Sequence, residues 1–307
     1  MLSKRMRFVA RLALLCAASL GTACARDAAG PLAPAERESA ARKANGHAAI
    51  LVGAGDIADC GSPGDEATAA LLDDIAGTVF TAGDNAYPYG SPIDYESCYD
   101  PTWGRHRHRT RPALGNHEYL TPGAAGYFLY FRDRPVAPPF GFYSYDLGRW
   151  HVVVLNSNLE YIDPALQELW LVHDLRTHRR RCTLAYFHHP RFSSGRHGSQ
   201  PQMQRIWEIL YAHGADVVVA GHDHSYERFA PQDAHGRADP RRGVRQFVVG
   251  TGGAGLYEFG TVQPNSEFRY NAGFAVIRLA LRPAGYGWEL IGAPDGQVID
   301  SGSDRCH

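Results

Sequence analysis

The sequence is short of net charge: 31 Lys and Arg against 32 Asp and Glu leave −1 over 307 residues. No basic surplus is available to hold nucleic acid or an acidic membrane surface. There is no internal repeat, which sets solenoids and propellers aside. Beyond the first 25 residues no run is long and apolar enough to span a bilayer. No C-x-x-C pair occurs, so cysteine-based metal ligation is disfavoured. Between residues 48 and 302 no Pro/Gly/Ser-rich linker divides the chain. With 44% hydrophobic and 21% charged residues, the composition is that of a globular protein able to bury a large core.

The N-terminus stands apart. Lys4, Arg5, Arg7 and Arg11 precede an apolar run from Leu12 to Leu20, with small residues around Ala23-Cys24-Ala25. This order of basic, apolar and small residues is that of a secretory signal peptide over residues 1–25, so the protein is expected to be exported. Ala23-x-Ala25 suits an ordinary signal peptidase. Leu20-Gly21-Thr22-Ala23-Cys24 instead resembles a loosened bacterial lipobox, which would put a lipid anchor on Cys24. Residues 26–46 offer little to bury and read as a tether or disordered leader. Residues 47–307 are left for the functional domain. Of the six cysteines, Cys60, Cys98, Cys182 and Cys306 remain in the exported portion. An even number there suggests disulfides. Cys60 with Cys98 is the favoured pair, because both sit in loops just after strands that carry candidate site residues.

From residue 48 onward, short β-branched runs end in glycine and then a polar residue. Examples are Ile50-Leu51-Val52 before Gly55-Asp56, Val79-Phe80-Thr81 before Gly83-Asp84, and Val217-Val218-Val219 before Gly221-His222. Such runs read as buried strands. Helical patterns lie between them. Asp163 is placed to cap a helix with Pro164 first and Leu166, Leu169, Trp170 and Val172 on one face. Met203, Ile206, Trp207 and Leu210 mark another helix. This alternation predicts an α/β sheet with ligands at the carboxyl ends of its strands. The last third, with strands expected at 244–249, 274–281 and 288–291, adds antiparallel strands.

Five blocks place metal-capable side chains directly after those strands: Gly55-Asp56, Gly83-Asp84-Asn85-Ala86-Tyr87, Gly115-Asn116-His117-Glu118, Phe187-His188-His189-Pro190 and Gly221-His222-Asp223-His224. Glycine at a strand end allows a sharp turn that throws the next side chain into a shared crevice. Alone, a Gly-Asp is usually a turn and a single His a hydrogen-bonded core or surface residue. His222-x-His224 carries more weight, because alternate residues of an extended segment face one side. Carboxylates, an amide and imidazoles together suit iron, zinc or manganese better than calcium or magnesium.

The order Asp, Asp, Asn-His, His, His-x-His resembles the calcineurin-like metallophosphoesterases, and Gly-Asp-x-x-Tyr resembles their purple acid phosphatase branch. The similarity runs over roughly residues 48 to 260. Where other branches carry Asp-x-His, this chain has Asp56-Ile57-Ala58, and Tyr87 stands where purple acid phosphatases place a tyrosinate. The resemblance implies an α/β (α+β) fold, a four-layer α/β/β/α sandwich with mixed sheets. It implies that Asp56, Asp84, Tyr87 and His224 hold one metal and Asn116, His188 and His222 the other, with Asp84 bridging. A tyrosinate requires a strongly charged cation, hence Fe(III) beside a divalent Zn, Mn or Fe. His188 rather than His189 is chosen on its His-x-Pro context, although the family's Val-x-x-His reads Ala185-Tyr186-Phe187-His188 here.

The implied activity is hydrolysis of phosphate monoesters by a metal-bound hydroxide. The resemblance casts His117 as substrate contact or general acid, and adjacency alone suggests that Glu118 orients it. His197, in the loop after His188, is a second acid candidate, or else a solvated loop histidine. Two alternatives remain: a phosphodiesterase acting on nucleotides or lipid head groups, and a non-catalytic exported binding protein with the same fold. Gly250-x-Gly252-x-x-Gly255 matches a dinucleotide fingerprint formally, but no amphipathic helix follows, so it reads as a turn bordering the phosphate site. The run Arg105-His106-Arg107-His108-Arg109 either draws anions toward Asn116 or is a solvated face.

Overall fold

A computed structural model describes residues 48–307. The expected export signal, the 26–46 leader and Cys24 lie outside the described residues. The first sheet begins with β1 (Ala49–Ala54), β2 (Thr78–Thr81) and β3 (Thr110–Pro112), which run parallel. Against β1 the chain adds an antiparallel meander of β11 (Ala275–Arg282), β12 (Gly285–Gly292) and β13 (Val298–Arg305), with Ala49 opposite Leu281. The order is β13-β12-β11-β1-β2-β3.

In the second sheet β5 (Trp150–Val154), β6 (Cys182–Tyr186), β7 (Val217–Ala220) and β9 (Arg245–Val249) are parallel neighbours. Antiparallel β4 (Tyr143–Leu147) edges one side, with β8 (Tyr226–Phe229) and β10 (Ser266–Tyr270) on the other. Both sheets are therefore mixed. The two-residue alternation of β-strands divides the side chains of the second sheet. Val152, Val154, Leu184, Val217 and Val219 join Leu51, Val79, Ile277 and Leu279 in the core shared with the first sheet. Val153, Ala185 and Val218 pack instead with Ile206, Trp207 and Leu210 of the helix Gln204–Ala212. The stripe Met203, Ile206, Trp207, Leu210 is buried as the sequence pattern predicts.

Asp163 caps the helix Pro164–Thr177, accepting from the Ala165 and Leu166 amides. The buried face of that helix differs from expectation. Leu166 and Leu169 are exposed, while Gln167, Leu171 and Asp174 are buried. The polar pair is buried because it is satisfied: Gln167 exchanges two hydrogen bonds with the Asn156 backbone, and Asp174 Oδ2 lies 2.6 Å from His151 Nε2. A polar group with a built-in partner competes with leucine for the interior.

Because His151 Nδ1 also faces Asp146 Oδ1 at 3.2 Å, both ring N–H groups donate to carboxylates. Burial opposes the imidazolium, but Asp174 and Asp146 outweigh it and raise the pKa above 6.5. Burial likewise opposes the Asp174 carboxylate, and the hydrogen bond from His151 prevails to hold it below 3.8. A raised histidine stabilises fully below its unfolded pKa and loses that contribution as pH rises through the folded value; a depressed carboxylate does so above its unfolded pKa. His151→Gln is therefore expected to destabilise by about 1–3 kcal/mol. Urea titrations should show the largest loss between pH 3.8 and 6.5, shrinking at higher pH. A loss that does not vary with pH would contradict the charged pair.

Cys60–Cys98 forms as expected, and Cys182–Cys306 takes the remaining two. No helix among the described residues is long and apolar enough to cross a membrane.

Candidate metal centre

The five blocks meet at the carboxyl ends of the parallel strands in both sheets. Three of the candidate ligands turn the chain themselves: Asp56, Asp84 and His222 have φ of 59°, 48° and 72°. Such left-handed backbone costs non-glycine residues ~1–3 kcal/mol each, and is retained where surrounding structure over-determines it. The neighbouring glycines chiefly provide room. A Cβ on Gly115 would lie 2.1 Å from Asp84 Oδ1, and one on Gly221 would lie 2.6 Å from Asp56 Oδ2. The sequence assigned these glycines to turning; at these two positions close approach is what requires them.

Seven candidate ligands form two groups that share one atom. Tyr87 Oη lies 3.1 Å from each of Asp56 Oδ1, Asp84 Oδ2 and His224 Nε2. On the other side, His188 Nε2 lies 3.2 Å from Asp84 Oδ2, 3.0 Å from Asn116 Oδ1 and 3.2 Å from His222 Nδ1. Asp84 Oδ2 belongs to both groups. This is the division that the family resemblance implies for two metals with a bridging carboxylate.

The donor chemistry fits cations. His188 Nδ1 lies 2.9 Å from Ala82 O and must donate to it, so a neutral ring presents an Nε2 lone pair to two oxygens and another imidazole nitrogen. His224 Nδ1 donates to Gly255 O at 2.5 Å, which aims its Nε2 lone pair at Tyr87 and Asp56. Acceptors thus outnumber protons, and buried acceptors facing one another need positive charge between them. The titration behaviour shows the same demand for positive charge beside Asp84, met by a proton on the ring when no cation meets it. Burial opposes protonation of His188, yet the Asp84 carboxylate holds it up at about 9. Burial also opposes ionisation of Asp84, which His188 and His117 nevertheless keep well below the ordinary carboxylate range. Burial and the Asp56 and Asp84 carboxylates push Tyr87 well above 10. Only a strongly charged cation would make it tyrosinate.

His117 donates its amide to Asp84 Oδ1 at 2.8 Å and its Nδ1–H to Pro88 O at 2.5 Å. Its Nε2, 3.9 Å from Asp84 Oδ2, is the open position of the ring. Glu118 does not orient His117 as adjacency suggested. It is fully buried and accepts from the backbone amides of Asp84, Asn85 and Gly115 and from Tyr95 Oη. It therefore ties two ligand loops together. His189 bonds through Nδ1 to Ser157 Oγ at 2.8 Å. Burial, with the charge of His188, pushes its pKa down to about 3. The His197 ring stands 4.5 Å from the His222 ring.

The glycine-rich 250–255 turn borders the site as expected, with Ala254 N donating to Asp56 O. The basic run is spent on internal pairing. Arg105 bridges Glu66 and Asp73, Arg107 pairs with Asp133, and Arg109 donates to three backbone carbonyls. It is not the free cationic face that attraction of anions would need. Tyr257 was missed: it stacks on His224 at 4.0 Å and 9°. No local pattern in the sequence points to it. Asp223 was also passed over, although its charge inside the His-x-His block was a signal.

The family model for Calcineurin-like phosphoesterase matches residues 36–226, and the chain belongs to that family. Within it, the chain is similar to purple acid phosphatases. It is 34% identical to purple acid phosphatase 23 of Arabidopsis thaliana over 128 residues, covering 37% of this chain and 28% of that one. Against purple acid phosphatase 21 of the same plant the identity is 38% over 138 residues, covering 42% and 31%. The chain thus spans less than a third of the length of these relatives. In fold it matches purple acid phosphatase PPD1 from yellow lupin (Lupinus luteus) seeds, with a TM-score of 0.68 and 22% identity over 83% of this chain and 53% of that one.

Proposed function

We propose that this chain is an exported dinuclear-metal phosphatase that hydrolyses phosphate monoesters, with residues 47–307 as its catalytic domain. The observation that carries the reading is Asp84 Oδ2 standing between two groups of lone pairs, one gathered on Tyr87 Oη and one on His188 Nε2. Asp56, Asp84, Tyr87 and His224 would hold Fe(III); Asn116, His188 and His222, with Asp84, would hold Zn, Mn or Fe(II). When bound, the two metals would supply an activated water and neutralise charge on the phosphoryl oxygens. The protein's own part is geometric and protonic. The His117 amide fixes Asp84 Oδ1, and Pro88 O fixes the His117 ring, so that its Nε2 is free to protonate a departing alkoxide. The two disulfides support export, since they persist in oxidising compartments.

A visible spectrum with metal analysis of wild type and Tyr87→Phe tests the reading. The wild type is expected to hold two metals per chain and to absorb through a tyrosinate–Fe(III) transition that the variant lacks. Colourless protein fully loaded with zinc or manganese would remove Fe(III) but leave phosphoester hydrolysis intact. Rates on an aryl phosphate should exceed those on its bis-ester; the reverse order would make the chain a diesterase.

A further inference from the structure

The segment that carries His222 and His224 also carries two buried carboxylates, and both reach the same loop. Asp223 and Glu227 are completely buried. Asp223 Oδ1 accepts the His197 amide at 2.7 Å, while Oδ2 accepts from Ser193 Oγ, which in turn accepts the Gly195 amide at 2.9 Å. Glu227 accepts the Ser194 amide at 2.7 Å and the Ser194 hydroxyl at 2.5 Å. Ser193, Ser194 and Gly195 are thereby buried, and Arg196 and His197 are left exposed. The His197 ring lies 4.5 Å from the His222 ring. Arg196 lies over Tyr257, its Cζ 5.2 Å from the ring centre, and Tyr257 stacks on His224. A loop with a buried, multiply hydrogen-bonded base thus presents one imidazole and one guanidinium beside the rings of two candidate metal ligands.

We propose that Asp223 is a positioning residue that sets the loop Ser193–Gly198 so that His197 and Arg196 contact the bound phosphate ester. The inference rests on the phosphatase reading above. Asp223 acts through hydrogen bonds to the loop and touches no reacting atom. An amide donating to a buried carboxylate makes a charge-assisted bond that fixes the loop more firmly than a neutral acceptor would. Gly195 fits the same picture: a Cβ there would lie 2.3 Å from Asp223 Cγ, so the loop seats on Asp223 only without a side chain.

The test compares the holoenzymes of wild type, Asp223→Ala, His197→Ala, their double variant and Gly195→Ala. Three measurements are made: kcat/KM on an aryl phosphate, metal content, and hydrogen exchange of the 193–198 amides. Asp223→Ala and His197→Ala are each expected to lower kcat/KM by about ten- to a hundredfold. The double variant should be no worse than the more damaged single one, the non-additivity of residues acting as a unit. Gly195→Ala changes no residue of the metal-bearing segment but unseats the loop by pressing a Cβ onto Asp223, and should reproduce the Asp223→Ala loss. Exchange at 193–198 should quicken in both Asp223→Ala and Gly195→Ala while each keeps the metal content of wild type. Multiplicative losses in the double variant, or metal lost from Asp223→Ala, would overturn the proposal. If loaded wild type hydrolyses no ester, the phosphatase reading fails separately. Affinity for inorganic phosphate then decides: weaker binding in Asp223→Ala and His197→Ala sustains the loop assignment, and unchanged binding ends it.

Discussion

Glu118→Ala is expected to leave fewer than two metals per chain and to lower kcat/KM by about ten- to a hundredfold, although Glu118 is not a candidate ligand. Its Oε2 accepts the amides of Gly115 at 2.6 Å and Asp84 at 3.1 Å. Its Oε1 accepts the Asn85 amide at 2.8 Å and Tyr95 Oη at 3.1 Å. The loops bearing Asp84 and Asn116 therefore have a common anchor at 0% exposure. Removing it strands three buried backbone N–H groups at ~1–3 kcal/mol each. That is a large share of the roughly 5–15 kcal/mol by which a domain is stable. Glutamine does not restore the anchor, because its NH2 would face amides that can only donate. Burial and the nearby Asp84 charge raise the Glu118 pKa, and the Gly115 and Asn85 amides counter them. Metal analysis, thermal unfolding and steady-state rates read the outcome together. A Glu118→Ala protein with full metal content and a rate within about threefold of wild type would show that the loops hold their shape without it.

His188→Ala and His189→Ala should separate by about a hundredfold or more in activity, with His188→Ala the inactive one. The two neighbours are both close enough to His222 to join one possible metal cluster. Only His188 also groups with Asp56 and Asp84, and its Nε2 reaches Asn116 Oδ1. Its other nitrogen is fixed by Ala82 O, which sets the tautomer that exposes Nε2. His189 is committed elsewhere. Its Nδ1 bonds Ser157 Oγ, and its amide donates to the same oxygen. His189→Ala should keep both metals and most of its turnover. Metal loss in His189→Ala with retention in His188→Ala would reverse the assignment.

The convergence of the candidate site residues was more legible in the sequence than the forces that hold them. Strands ending in Gly-Asp, Gly-Asn and Gly-His are local patterns, and each of the seven residues lies where its block placed it relative to a strand. The Asp163-Pro164 start is also local, because a cap and its amides lie within one turn. What was misread is long-range. Leu169 looked like core and is exposed, while Gln167 and Asp174 are buried. Only their partners Asn156 and His151, in the loop and strand that precede the helix, make that arrangement stable. Glu118 was paired with its sequence neighbour, whereas its partners include amides more than thirty positions earlier. Arg105 read as a free charge until Glu66 and Asp73 were brought beside it.

The strand origins of the seven candidate ligands have a consequence for the order in which a site can come into being. All four oxygen donors, Asp56, Asp84, Tyr87 and Asn116, follow β1, β2 and β3. All three nitrogen donors, His188, His222 and His224, follow β6 and β7. A chain emerging from its N-terminus therefore offers a hard, all-oxygen half-site first, chemistry that calcium and magnesium satisfy. The imidazoles that discriminate in favour of iron, zinc or manganese arrive only when the second sheet closes on the first. On the proposed ligand set, metal selectivity would thus be a property of the closed sandwich. A fragment ending before β6 should bind cations weakly and without that preference, however well its own strands assemble.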